Sequence, residues 1–192
     1  MRCLLPCLVL CLAIGRPALA GAVPPAAEVI PADDLIKKWR RTKSLVPPQQ
    51  ILRKGMTVVA AGSGVSPRPT AVEVPVDAQT SASFQNIQFL KTSAEIQQGT
   101  PMRQLSEIAR AMIGAGTEKF LIEGHTCDIG SESQNLDLSR KRALAVKEVL
   151  EKFGVDGSRL QVIGCGESEP LVPNTDDAAR AQNRRVQIFR KL

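Results

Sequence analysis

The sequence predicts an α+β domain, two helices on one face of a small mixed sheet in the order βαβαβ-β, preceded by a Pro-rich flexible segment. Two observations carry this. From about residue 84 onward, short strand-like apolar runs alternate with stretches of helical apolar spacing. Before that point, residues 21–83 hold eight of the 13 prolines (Pro24, Pro25, Pro31, Pro47, Pro48, Pro67, Pro69 and Pro75) and show weak periodicity, so they read as a mostly disordered linker. The expected organisation is a signal at 1–20, this linker at 21–83 and one domain at 84–192.

The first strand is expected within Asn86–Leu90, where Ile87 and Phe89 alternate onto one face. Thr100-Pro101 then offers an N-cap and a first-turn proline. Met102, Leu105, Ile108, Ala109 and Met112 follow at helical spacing, and Gly114 or Gly116 stops the helix. Phe120–Glu123 is a second strand. A second helix starts between Ser131 and Asn135 and ends at Phe153-Gly154. Leu160–Ile163 and Arg185–Arg190 are the third and fourth strands, separated by a loop shaped by Pro170 and Pro173. Right-handed crossovers place both helices on one face.

Residues 1–20 are laid out as a cleavable secretory signal. Arg2 precedes an apolar run from Leu4 to Ile14, and Ala18-Leu19-Ala20 ends it in small residues, with cutting expected after Ala20. Arg16 and Pro17 cut the run too short for a membrane anchor, which takes about 20 apolar residues. Lipid attachment at Cys11 meets Leu10 where a small residue is usual. Loss of Arg2 and Arg16 lowers Lys+Arg from 25 to 23 against 19 Asp+Glu, so the formal charge drops from +6 to +4. That mild surplus suits anionic wall or membrane surfaces. Only 3% of residues are aromatic and none is Tyr, which argues against a lipid-facing barrel and against a nucleic-acid partner read by base stacking. Within the linker, PADDLIKKWRRTKS has acids first and bases last, the polarity of a short helix; Leu35, Ile36 and Trp39 share a face, and a marginal solvated helix is expected. It is the segment through which outer-membrane or other envelope partners would be met.

Chemistry concentrates on the second helix. Its apolar stripe runs Leu138, Ala145 and Val149, with Val146, Leu150 and Phe153 beside it, and Arg142 falls on that stripe. Asn135 is seven residues earlier on the same face, and Asp128 precedes the helix. An inward Arg is costly unless paired. Arg142 and Asp128 together would grip a zwitterion, the Arg by a forked bond to carboxylate and the Asp through ammonium. The same spacing serves an internal ion pair holding loop to helix, and spacing leaves both open.

The stretch GHTCDIGSESQNLDLSRKRALAV resembles the signature of the OmpA-like peptidoglycan-binding domain, Gly-His-Thr-Asp, then Gly, then Asn-x-x-Leu-Ser-x-x-Arg-Ala-x-x-Val. GCGESEP and RAQNRRVQI are similar to its Gly-x-Gly-Glu-x-x-Pro and Arg-Ala-x-Asn-Arg-Arg-Val motifs. The resemblance spans about Phe84 to Leu192 and implies the same βαβαβ-β fold. It implies non-covalent binding of the diaminopimelate of the peptidoglycan stem by an exported protein of the periplasm, associated with the outer membrane and serving to anchor or tether. It carries the family's contacts onto Arg142, Asn135, Thr126, Arg184 and Thr92. The family's carboxylate position is Cys127 here, with Asp128 one residue later; Asp128 is expected to take over its role.

Cys127 and Cys165 each follow a strand end. Neighbouring parallel strands would bring those ends within disulfide range, so a Cys127–Cys165 bridge is expected. His125, Cys127 and Cys165 match no standard zinc spacing and lack an evident fourth ligand, so no metal or other cofactor is expected, and His125 reads as a packing residue. Glu167 and Arg180 read as structural. No catalytic residue is assigned. The alternatives are a wall-associated enzyme or thiol redox protein using Cys127, for which no paired acids stand out, and a flagellar-stator-type anchor. The anchor would need an ionisable residue in a membrane helix, and the first segment has no Asp or Glu.

Overall fold

The computed structural model describes residues 29–40, 50–58, 69–84, 87, 89 and 93–192. The expected signal at 1–20, with Cys11 and Ala20, lies outside them. The elements are α1 (Ala32–Arg40), β1 (Gln50–Val58), β2 (Pro69–Asp77), β3 (Ala82–Phe84), α2 (Thr100–Gly114), β4 (Phe120–His125), α3 (Glu132–Lys152), β5 (Leu160–Gly166), α4 (Asp177–Asn183) and β6 (Val186–Arg190). The strands form one mixed sheet in the order β2-β1-β5-β4-β6-β3. β4 and β5 are parallel and the remaining pairs antiparallel. The α+β architecture and the βαβαβ-β order are as the sequence predicts. No helix of the described residues is long and apolar enough to cross a membrane.

The predicted helix caps hold with small shifts. Gly99, at φ 91°, caps α2, and Pro101 lies in its first turn. Ser131 and Gln134 close a reciprocal capping box on α3. Gly154, at φ 92°, follows its end. α3 sits unusually close to the sheet. A Cβ on Gly124 would stand 2.0 Å from the Ser139 carbonyl oxygen, and one on Gly164 2.7 Å from Ser139 Oγ. Only glycine admits this approach. The buried face of α3 is therefore Asn135, Ser139, Arg142, Ala143, Val146 and Leu150. It is rotated from the predicted Leu138–Ala145–Val149 stripe, and Phe153 is 39% exposed.

The described parts of 21–83 depart from the linker expectation. α1 is not a solvated helix: Ala32, Leu35 and Trp39 are buried in the main core, with Ile36 packed beside them. Trp39 meets Phe120 at 4.9 Å between ring centres and donates Nε1–H to the Thr80 carbonyl. Glu107 accepts from the Ala32 amide, supplying the helix start with a carboxylate. A short helix is marginal alone, and burial of Leu35 and Trp39 supplies what propensity does not.

β1 and β2 pair from Gln50–Asp77 to Val58–Pro69. The hairpin touches β5 at Met56–Gly164 and the residue just past β6 at Val76–Lys191, and its Val74 and Val76 face the side of the sheet opposite the helices. There Val74 and Val76 pack with Leu121, Ile163, Cys165 and Phe189 in a second, smaller core. The first predicted strand is displaced: the ladder is Ala82–Phe84 on β6, while Phe89 makes an isolated bridge to Ile96. The loop expected between the third and fourth strands contains α4, capped by Asp176.

Candidate functional site

The C-terminal end of β4, the start of α3 and the start of β6 meet at Cys127. Asn135 donates Nδ2–H to the Cys127 carbonyl and to Glu167 Oε2, at 3.2 and 2.5 Å. The Arg184 guanidinium reaches Cys127 Sγ at 3.7 Å. Thr126 is held by its amide on the Gly166 carbonyl, and its buried hydroxyl has no partner.

Arg142 approaches from the buried face of α3 and is 8% exposed. Its Nε donates to the Ser93 carbonyl at 3.2 Å, and its guanidinium lies over the Phe89 ring at 5.0 Å. Phe89 and Ser93 thus hold Arg142 from two sides. Burial, and then the like charge of Arg184, push the Arg142 pKa down, with Cys127 acting weakly the other way. Arginine stays ionised nonetheless. No carboxylate among the described residues pairs with Arg142 or Arg184. Buried Arg142 and exposed Arg184 thus share one strand end, with no counter-anion among the described residues. A charge desolvated this way is costly unless something supplies the opposite sign.

Asp128 is not that counter-ion. Its carboxylate accepts from Arg180 Nε at 2.9 Å, on the exposed rim, and this contact holds its pKa below the usual carboxylate range. The expected meeting of Asp128 with Arg142 is absent because α4 brings Arg180 to the loop first. Thr92 lies outside the described residues.

The expected Cys127–Cys165 bridge is also absent: both thiols are free and buried. Strand proximity fixes where the Cα atoms lie, but alternation fixes which way each Cβ points. Cys165 follows Ile163 onto the hairpin face, where Sγ reaches the Lys54 carbonyl at 3.7 Å. Cys127 lies past the end of β4, against Asn135 and Arg184.

Sequence reasoning missed Phe89 and Ser93 as supports of Arg142, and it treated Glu167 as merely structural although Glu167 holds Asn135. Alternation marked Phe89 as apolar and inward, and nothing local pairs an aromatic ring with a helix 50 residues on. Asn183 fixes the loop before α4: it accepts from the Leu171 and Val172 amides and donates to the Val172 carbonyl and Asn174.

Known proteins resemble this chain in sequence and in fold. The chain is 39% identical over 85 residues to the outer-membrane lipoprotein YfiB of Pseudomonas aeruginosa, covering 44% of this chain and 51% of that protein. It is 34% identical over 87 residues to the peptidoglycan-associated lipoprotein of the same organism, covering 45% and 51%. The chain spans about half the length of these two relatives, and 20% of the outer membrane porin F of Pseudomonas fluorescens. Among solved structures, the peptidoglycan-associated lipoprotein of Burkholderia pseudomallei superposes with a TM-score of 0.52 at 28% identity, covering 57% of this chain and 89% of that one. The periplasmic domain of Helicobacter pylori MotB gives 0.52 at 25% identity, covering 58% and 72%. The model of the OmpA family matches residues 88–184, just over half of the 192, and takes in Cys127, Asn135, Arg142 and Arg184; the chain belongs to the OmpA family.

Proposed function

We propose that this protein binds peptidoglycan non-covalently at the strand end around Cys127, and that the group it grips is a stem-peptide carboxylate, with diaminopimelate as the residue that presents it. The observation that carries this is Arg142, 8% exposed, fixed by Ser93 and Phe89, and close to a second cation with no carboxylate between them. An arriving carboxylate accepts a forked pair of hydrogen bonds from Arg142 and offsets part of the positive charge that Arg142 and Arg184 share. Asn135, oriented by Cys127 and Glu167, and the free Thr126 hydroxyl complete the polar lining. Asp128 at the rim takes the ligand's ammonium in exchange for Arg180, and Thr92, which precedes Ser93 in the sequence, is the remaining polar candidate.

The names of the relatives support this reading, two of them being peptidoglycan-associated or peptidoglycan-binding: the lipoprotein above and ArfA of Mycobacterium bovis, 34% identical over 84 residues. The chemistry is recognition, not catalysis: guanidinium and amide donors hold an anion and break no bond. The outer-membrane relatives support a place in the envelope, in the periplasm beside the outer membrane, reached by the signal at 1–20, with an anchoring or tethering role.

The test is co-sedimentation with diaminopimelate-type peptidoglycan. The wild-type protein pellets with the polymer, Arg142→Ala remains in solution, and the two have similar unfolding midpoints. Equal pelleting of both overturns the assignment.

A further inference from the structure

On the face opposite the Cys127 site, three side chains of metal-binding type converge under the hairpin. Glu123 and His125 are alternate residues of β4 and share that face; Cys165 reaches it from β5. The β4–β5 ladder pairs Gly124 with Gly164 and then His125 with Gly166, and this irregularity sets His125 alongside Cys165. One carboxylate oxygen of Glu123, one ring nitrogen of His125 and the Cys165 sulfur all lie within 4.8 Å of one another. Glu123 is 0%, His125 1% and Cys165 3% exposed.

His125 supplies an independent observation. Both of its ring nitrogens are buried and neither has a hydrogen-bond partner. Nε2 stands 3.5 Å from Glu123 Oε2, too far for a good hydrogen bond. Buried polar atoms are almost always satisfied, so a ring with one bare nitrogen and the other in only a long contact with Glu123 calls for a ligand. The thiol of Cys165 has only its 3.7 Å contact with the Lys54 carbonyl. Glu123 accepts from Arg53 at 2.9 and 2.6 Å. A carboxylate has about four lone-pair sites, so this clamp orients Glu123 and leaves it able to bind a cation.

We propose that Glu123, His125 and Cys165 form a site for a zinc-type divalent cation, separate from the peptidoglycan site. Imidazole nitrogen, thiolate and carboxylate together suit a borderline-soft ion such as Zn²⁺ or Co²⁺ and not Mg²⁺ or Ca²⁺. Metal–ligand distances of about 2.0–2.3 Å require the three atoms to draw inward slightly from their present spacing. Binding forms a metal–sulfur bond and releases the Cys165 thiol proton to solvent. Glu169, which also contacts Arg53, or a water takes the fourth position. Arg53 and Arg185 are the cations facing the cluster, and Glu169 offsets part of their charge.

The test uses the full chain with Cys3, Cys7 and Cys11 replaced by Ser, kept reduced and stripped with a chelator. Co²⁺ is added both to the folded protein and during refolding from urea. The expected result is one equivalent bound, with a near-ultraviolet thiolate-to-cobalt charge-transfer band and the visible bands of tetrahedral cobalt, both removed by Zn²⁺. Cys165→Ser abolishes the charge-transfer band, Cys127→Ser retains it, and His125→Gln weakens binding about tenfold or more. Zn²⁺ raises the unfolding midpoint of the Cys127→Ser protein and not that of Cys165→Ser. Absence of the band after both additions, its survival in Cys165→Ser, or its loss in Cys127→Ser overturns the proposal.

Discussion

Arg53 and Arg142 are partly buried guanidiniums on opposite faces of one sheet, and their surroundings differ in sign. Burial lowers the pKa of each. For Arg53 the hydrogen bonds and charge of Glu123, helped by Glu169, override burial and raise it. For Arg142 the neighbouring charge is Arg184, which adds to the effect of burial. Under the hairpin, Glu123 and Glu169 offset the charge of Arg53, and the Arg53–Glu123 contact locks β1 to β4. Arg142 is held by a carbonyl and an aromatic ring, which position a guanidinium without cancelling it. The contrast separates a charge that serves the fold from one that awaits a ligand.

The largest expected effect breaks the balanced side. Glu123→Ala leaves the largely buried Arg53 with Glu169, a part-exposed carboxylate, to offset it, and should cost about 3 kcal/mol in urea unfolding. Arg142→Ala removes a cation that no carboxylate compensates, leaves no buried charge behind, and should change stability by less than about 1 kcal/mol. If the two variants unfold at the same urea concentration, the distinction between the faces fails.

The next effect concerns α1, which packs on the same side of the sheet as Arg142. Trp39→Ala removes a ring that is 1% exposed and its contact with Phe120, and should cost about 3–5 kcal/mol. Unfolding followed by circular dichroism would show it. A variant as stable as wild type would return α1 to the status of a solvated appendage and leave the domain to begin near residue 84.

What the sequence made legible follows from how each feature is encoded. Asn135 and Arg142 were legible because seven residues are nearly two helical turns, so their shared face needed no knowledge of the fold. The orientation of α3 was less so. Its closest contacts are Ser139 and the backbone of Arg140 against Gly124 and Gly164, and tight approach selects small residues on the sheet that a hydrophobic stripe does not register. The hairpin was hidden by Pro69 and Pro75. Both lie in β2, the outermost strand, where a missing N–H costs no ladder bond. α4 is only seven residues long, too short for a period to show, although its Asp176 cap was visible. That omission hid the partner of Asp128, because Arg180 is placed by α4. The cysteine pairing failed for a related reason: adjacency of strand ends was legible, but the face of each side chain was not.

The smallest effect sharpens the comparison at the rim of the Arg142 site, where Asp128 and Arg180 are both solvent-accessible. The Arg180 contact holds the Asp128 pKa below its unfolded value. Whatever this pair contributes is therefore present above the ordinary carboxylate pKa and is lost as pH falls through the depressed one. At neutral pH the carboxylate is charged and available for exchange. Asp128→Asn should leave the unfolding midpoint unchanged at pH 7, as expected for an exposed ion pair. It should weaken peptidoglycan retention several-fold, less than Arg142→Ala does. The loss should disappear on peptidoglycan whose free ammonium groups have been acetylated, because Asp128 then has nothing to hold. If Asp128→Asn pellets as well as wild type on the unmodified polymer, the site reads the carboxylate alone, and Arg180 keeps Asp128 purely for the loop.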